Sequence, residues 1–207
     1  MYIARILYPV EVLGPGKRVG IWFNGCNHQC KGCSNPELWQ KQEKYKISIQ
    51  NILELISRIN KTNIIEGFTI TGGEPIDQYK KLSLLVTELS RISSDILLYT
   101  GYTLNELKIK KDQHIDIILS SIAVLIDGKY VEELNNNSLL RGSSNQTIHI
   151  LNKEYINKYS KYLLTATNQI QNFVTKDGII SVGIHKPNFF DELNGSIKSK
   201  GLREETK

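Results

Sequence analysis

A chain of 207 residues suits one domain over 1–207 and buries roughly 70% of its unfolded surface, so it needs no disulfide or zinc staple to fold. Apolar residues make up 40% and charged residues 23%, an ordinary soluble balance, and no apolar stretch approaches the ~20 residues that cross a bilayer. The net charge of +5 comes from scattered rather than clustered lysines, which argues against a nucleic-acid surface.

Strand and helix patterns alternate along the chain. Residues 2–8 and 18–23 read as short strands rich in Ile, Val, Tyr, Trp and Phe. After a cysteine loop, 48–60 reads as a helix with Ser48 as N-cap and Ile49, Ile52, Leu53, Ile56 and Ile59 as its apolar stripe. Residues 64–70 read as a strand running into Thr71-Gly72-Gly73-Glu74-Pro75, and a helix is expected at about 77–91. Strand 95–99 follows, then a short helix with a Thr103–Glu106 capping box, then a buried strand at 122–126. A polar loop at about 135–146 leads to a strand at 147–151 and a helix at 152–163. Residues 169–175 and 179–184 flank a hairpin turn at Lys176-Asp177-Gly178, and a last helix at 188–200 has Gly201 at its end, followed by a charged tail. Repeated strand–helix units predict an α/β fold with a mostly parallel sheet, whose ligands sit at the carboxyl ends of the strands.

The three cysteines are Cys26, Cys30 and Cys33. An odd, tight set is a poor disulfide framework and fits ligands in a reducing cytoplasm. The start MYIARILYPV has neither the basic nor the long apolar region of a signal peptide, so a cytoplasmic location is expected. A structural zinc site wants four ligands, and His28 as the fourth would crowd all of them into one turn. A thioredoxin-like reading of Cys30-Lys31-Gly32-Cys33 leaves Cys26 unused, and three buried, unliganded thiols would not gather by chance in one loop. A [4Fe-4S] cluster fits better: three thiolates hold three irons and leave the fourth open to a chelating substrate. His28 reads as a polar loop residue and Lys31 as solvent-exposed. The paired glycines of the Gly72–Pro75 turn let backbone approach a ligand, while its carbonyls and the Glu74 carboxylate can accept from an ammonium group.

With its C-x3-C-x2-C loop followed by Gly-Gly-Glu-Pro, the chain resembles enzymes of the radical S-adenosylmethionine superfamily. Within them it resembles the activating proteins of glycyl-radical enzymes, the anaerobic ribonucleoside-triphosphate reductase type in particular. The likeness runs through Gly20–Cys26, Cys30–Trp39, Tyr99–Thr103, Leu125–Gly128 and Leu140–Gln146, and includes Gly32 where many superfamily members carry an aromatic residue. Ser34 departs from the tyrosine common at that position, and 169–207 exceeds the minimal form.

The resemblance implies a partial (β/α)6 barrel, with a core at about 1–165 and a small extension at about 166–207. It implies a cluster on Cys26, Cys30 and Cys33, and S-adenosylmethionine held by Gly32, Cys33, Ser34, Gly72, Gly73, Glu74 and Pro75. Asp127 either binds the nucleoside or caps a turn. It further implies a flavodoxin-like electron donor and a glycyl-radical enzyme as protein substrate, with no nucleic-acid or membrane partner. Tyr99 and Tyr102 either flank the adenosine or pack. Arg141, Asn145 and Gln146 either grip a partner or bond among themselves. The rival activities are modification of a small molecule or ribosomally made peptide, and a non-catalytic cluster or zinc module.

Overall fold

The computed structural model describes residues 1–176 and 178–199. Asp177 of the expected turn, the Gly201 cap and the charged tail lie outside the described residues. Six strands form one sheet in chain order: β1 (Ile3–Val10), β2 (Arg18–Phe23), β3 (Gly67–Gly72), β4 (Ile96–Tyr99), β5 (Val124–Asp127) and β6 (Thr147–Ile150). The β2–β3, β3–β4 and β4–β5 pairs are parallel, whereas β1–β2 and β5–β6 are antiparallel. The sheet is therefore mixed, with a parallel centre. The outer pairs reverse because their connections hold no α-helix to carry the chain back to the starting edge.

The parallel strands are linked through α1 (Ile49–Thr62), α2 (Tyr79–Ser90), and the pair α3 (Leu104–Ile109) and α4 (Gln113–Ser121). Side-chain alternation divides the sheet into two faces. Val19, Ile21 and Phe23 of β2, with Phe68, Ile70, Ile96 and Leu98, pack on α1, α2 and α4 in one core. Trp22, Leu97, Val124 and Ile126 face the other way. There they meet α5 (Ile156–Thr165) and a separate two-stranded sheet, β7 (Ile170–Thr175) and β8 (Gly178–Gly183), which precedes α6 (Phe189–Ser199).

Ser48 caps α1 as expected, its Oγ accepting from the Asn51 amide at 3.1 Å, with Ile52 and Ile56 buried. The Thr103–Glu106 capping box is present in full. Strand β3 starts at Gly67, so Ile64 is left 79% exposed. Helix α4, capped by the Asp112 carboxylate on the His114 amide, has no counterpart among the predicted elements. No described helix is long and apolar enough to cross a membrane.

A buried polar network ties the amino ends of the strands. Arg18 is fully buried and donates to Thr69 Oγ1 (2.7 Å), the carbonyls of Pro15, Phe68 and Asp95, and Asp95 Oδ1 (3.1 Å). Asp95 also accepts from Lys158 Nζ (2.7 Å) and Tyr159 Oη (2.6 Å), which fastens α5 to the sheet. Gly67 is glycine because a Cβ there would lie 2.6 Å from Arg18 Nη1.

Candidate functional site

At the opposite, carboxyl ends of β2, β3 and β4 lies a cleft. Its wall takes Cys26, Cys30, Cys33 and Ser34 from the cysteine loop, and Thr71–Glu74 from the end of β3. Tyr99–Gly101 come from the end of β4, and Ser181–His185 from the C-terminal hairpin.

The loop is held from below. The Gly25 amide donates to the Leu38 carbonyl (2.8 Å) and the Cys26 amide to the Trp39 carbonyl (2.9 Å). Asn24 is fully buried: its Nδ2 donates to the Gln40 carbonyl (3.0 Å) and its Oδ1 accepts from the Gln42 amide (2.8 Å). The segment after the third cysteine is thereby stitched to the backbone before the first. The Cys33 amide donates to the Cys30 carbonyl (3.2 Å), and the Asn35 amide to Cys33 Sγ (3.4 Å).

All three cysteines are free and partly buried. Burial pushes each thiol above its usual range, although backbone amides, that of Asn35 at Cys33 among them, pull the other way. Such thiols stay protonated near neutrality until a cation replaces the proton. Among the described residues no three His, Cys, Asp or Glu side chains converge on one point as ligands of a single ion would. A cluster does not require that convergence, since it offers each thiolate a separate iron.

Glycines set how closely the two motifs approach. A Cβ on Gly73 would lie 2.3 Å from the Gly25 carbonyl oxygen, and one on Gly72 (φ +108°) would lie 2.4 Å from the Phe23 amide nitrogen. The Gly73 amide donates to the Phe23 carbonyl and the Glu74 amide to the Gly25 carbonyl, both at 2.8 Å. A Cβ on Gly101 would lie 2.4 Å from the His28 ring. Gly32 has φ +69°, and the Glu132 side chain lies where its Cβ would point.

Glu74 is 1% exposed and surrounded by donors. Oε1 accepts from the Ile76 amide (2.9 Å) and Thr100 Oγ1 (2.7 Å), and Oε2 accepts from the Gly101 amide (2.7 Å). His28 Nε2 stands 3.3 Å from Oε2 without hydrogen-bond geometry, and its ring meets Tyr102 edge-on. The carboxylate therefore braces the turns after β3 and β4.

Of the residues singled out in the sequence, Cys26, Cys30, Cys33, Ser34, Gly72, Gly73 and Glu74 share the cleft wall, whereas Gly32, Pro75 and Asp127 lie outside it. Pro75 is buried in a 3-10 turn over Pro75–Gln78. Asp127 opens onto a neighbouring cleft, where its Oδ2 accepts from the Leu104 amide (2.6 Å) and faces His149 Nε2 at 3.0 Å. Lys31 is exposed and pairs with Glu132 and Glu133. Within Arg141–Gln146, Arg141 Nη1 reaches the Gln146 carbonyl and Gln146 Oε1 accepts from the Gly142 and Ser143 amides, while Asn145 Nδ2 and Gln146 Nε2 donate to the carbonyls of Lys129 (2.9 Å) and Gly128 (2.8 Å). Trp39, Tyr130 and Ser181–His185 also line the cleft. No local signal marks the hairpin residues, because long-range packing brings them there.

The sequence matches the 4Fe-4S single cluster domain family over residues 12–149. It is 35% identical over 152 residues to the anaerobic ribonucleoside-triphosphate reductase-activating protein of Salmonella typhimurium, covering 70% of this chain and 96% of that one. The chain belongs to this family of activating proteins. Other members include that of Escherichia coli K12, at 36% identity with the same coverage, and that of enterobacteria phage T4, at 35% over 69% of this chain and 90% of its own. The crystal structure of QueE from Escherichia coli overlaps 49% of this chain and 53% of that one at 20% identity and TM-score 0.37, too shallow an overlap to add to this. The match takes in 96% of the Salmonella protein, so the 30% of this chain beyond it has no counterpart in that alignment.

Proposed function

We propose that this chain is a [4Fe-4S]-dependent radical S-adenosylmethionine enzyme that installs a glycyl radical on a partner such as an anaerobic ribonucleoside-triphosphate reductase. One observation carries the reading: the three thiols and the Thr71–Glu74 turn meet in one cleft at the carboxyl ends of adjacent parallel strands. The residues fit the group. Three half-buried thiols stand on one wall, glycines let the opposite backbone come close, and His28 is turned toward Glu74 rather than completing a tetrahedral zinc site. The six strands in sequential order are read as an opened, partial (β/α)6 barrel. Residues 1–165 form its core, and 166–207 an extension that begins past the family match.

Cys26, Cys30 and Cys33 would hold the cluster, leaving one iron for the amino and carboxylate groups of S-adenosylmethionine. When bound, this pair supplies one-electron cleavage of the sulfonium to a 5′-deoxyadenosyl radical, with the electron from a flavodoxin-like donor and the hydrogen atom from the partner's glycine Cα. Ser34, Gly72 and Gly73 present backbone to S-adenosylmethionine, the two glycines at its amino end. Glu74 fixes the two turns that face it, and Trp22 with Val182 supplies an apolar wall that keeps water out. Gly32, Pro75 and Asp127 act at one remove, through the turns they shape.

The test is anaerobic incubation of the reconstituted, reduced protein with S-adenosylmethionine, with and without a candidate reductase. Formation of 5′-deoxyadenosine and a glycyl-type doublet on the reductase is expected. Absence of 5′-deoxyadenosine removes the enzymatic reading. A nucleoside product with no doublet on any glycyl-radical partner favours modification of a small molecule or peptide, the alternative that the hairpin wall supports.

A further inference from the structure

We propose that Trp39 is a positioning residue whose indole N–H, otherwise unused, donates to the Cys33 thiolate when the cluster is bound and raises the cluster's reduction potential; this rests on the proposed function above. Trp39 Nε1 is buried and has no hydrogen-bond partner among the described residues. Trp39 and Cys33 line the same cleft. The Trp39 carbonyl is bound by the Cys26 amide at 2.9 Å, and the buried Asn24 secures the segment on either side, so the indole is fixed relative to the first and third cysteines at once.

The donors beside Cys33 differ in kind. The Asn35 amide donates to Cys33 Sγ at 3.4 Å, and a backbone donor comes with any sequence that adopts the loop. The Trp39 indole, on the wall of the same cleft, is a choice of residue, and its N–H is unused.

A buried N–H without an acceptor is unfavourable, and a neutral thiol is a poor acceptor. A cysteinyl thiolate on a cluster is a better one, so loading the site satisfies the orphan donor. Adding an electron increases negative charge on the sulfurs, so the donor stabilises the reduced form more than the oxidised form and shifts the potential upward.

The experiment is an anaerobic redox titration of the reconstituted full chain, followed by paramagnetic resonance of the reduced cluster, in wild type, Trp39→Phe and Trp39→His. Phenylalanine keeps an aromatic face and removes the donor. At the potential where half of the wild-type cluster is reduced, the reduced-to-oxidised ratio in Trp39→Phe should fall about tenfold, which is ~59 mV for one electron. Trp39→His, which keeps a ring N–H, should recover part of the shift. An exchangeable-proton coupling should be present in wild type and weaker in Trp39→Phe. A four-iron Trp39→Phe protein with an unchanged midpoint overturns the proposal and leaves the proposed function standing. Wild-type protein that binds no four-iron cluster removes both. If only Trp39→Phe fails to load, wild type carrying indole-15N tryptophan decides: 15N coupling to the reduced cluster supports the donor, and its absence overturns it.

Discussion

Arg18→Met tests whether the buried network at the amino ends of the strands is structural. The side chain is fully buried, and Asp95, its ion-pair partner, is 1% exposed. Methionine fills much of the volume but leaves the Asp95 carboxylate with Lys158 and Tyr159 alone, and strips the Phe68 carbonyl and Thr69 of the guanidinium donors. Removing one partner of a buried pair costs about 3–5 kcal/mol. At ~2–4 °C per kcal/mol for a chain of this size, the melting temperature should fall by roughly 6–20 °C. The loss should also depend on pH. Burial raises the Asp95 pKa, but the Arg18 charge and the bonds from Arg18, Lys158 and Tyr159 outweigh it and hold the carboxyl below its ordinary value. A depressed carboxylate contributes its full stability above the unfolded pKa of about 3.9 and loses it as pH falls through the lower folded value. The gap between wild type and variant should therefore be full at pH 7 and narrow below about pH 4. Urea unfolding at both pH values measures it. A gap under about 1 kcal/mol at pH 7, or one that widens in acid, would refute the reasoning.

Gly73→Ala places a methyl 2.3 Å from the Gly25 carbonyl oxygen and 2.9 Å from its carbon, backbone atoms that cannot swing aside. Overpacking of this kind costs about 1–3 kcal/mol, and iron bound per chain after reconstitution should drop well below wild type. Gly32→Ala meets only the movable Glu132 side chain, so it should cost about 1–3 kcal/mol for its positive φ yet still load four irons. Equal iron content in the two alanine variants would contradict this contrast. Cys30→Ser should abolish the cluster absorbance while leaving the fold, read by circular dichroism, intact. Thr103→Ala removes a complete capping box and should lower stability by about 0.5–2 kcal/mol in thermal melts, without changing iron content.

The sequence carried the cysteine loop, the Gly72–Pro75 turn and most elements, because each has a local cause: Ser48 and Thr103 are side-chain caps, and the apolar stripe of α1 has a helical period. Helix α4 was not legible because His114-Ile115-Asp116-Ile117-Ile118 is short and β-branched, so its pattern does not separate helix from strand. Directions of pairing at the sheet edges depend on connections rather than on strand composition. The role of Glu74 was equally hidden. A carboxylate in a glycine turn looks free to meet a ligand, and only the fold shows Thr100 and Gly101 brought to it from 26 and 27 residues away. The hairpin wall likewise arises from contacts that no spacing in the chain announces.

The way the loop is stitched to its surroundings bears on how a metal enters it. The backbone flanking Cys26 and Cys33 is fixed by bonds to the Trp39 carbonyl, the Cys30 carbonyl and the Asn24 side chain. A chelating segment that is already confined gives up little conformational freedom when iron arrives, so more of each iron–sulfur bond appears as net affinity. For this chain assembly is a matter of filling a prepared seat, and the surrounding domain can hold its shape before the first iron binds.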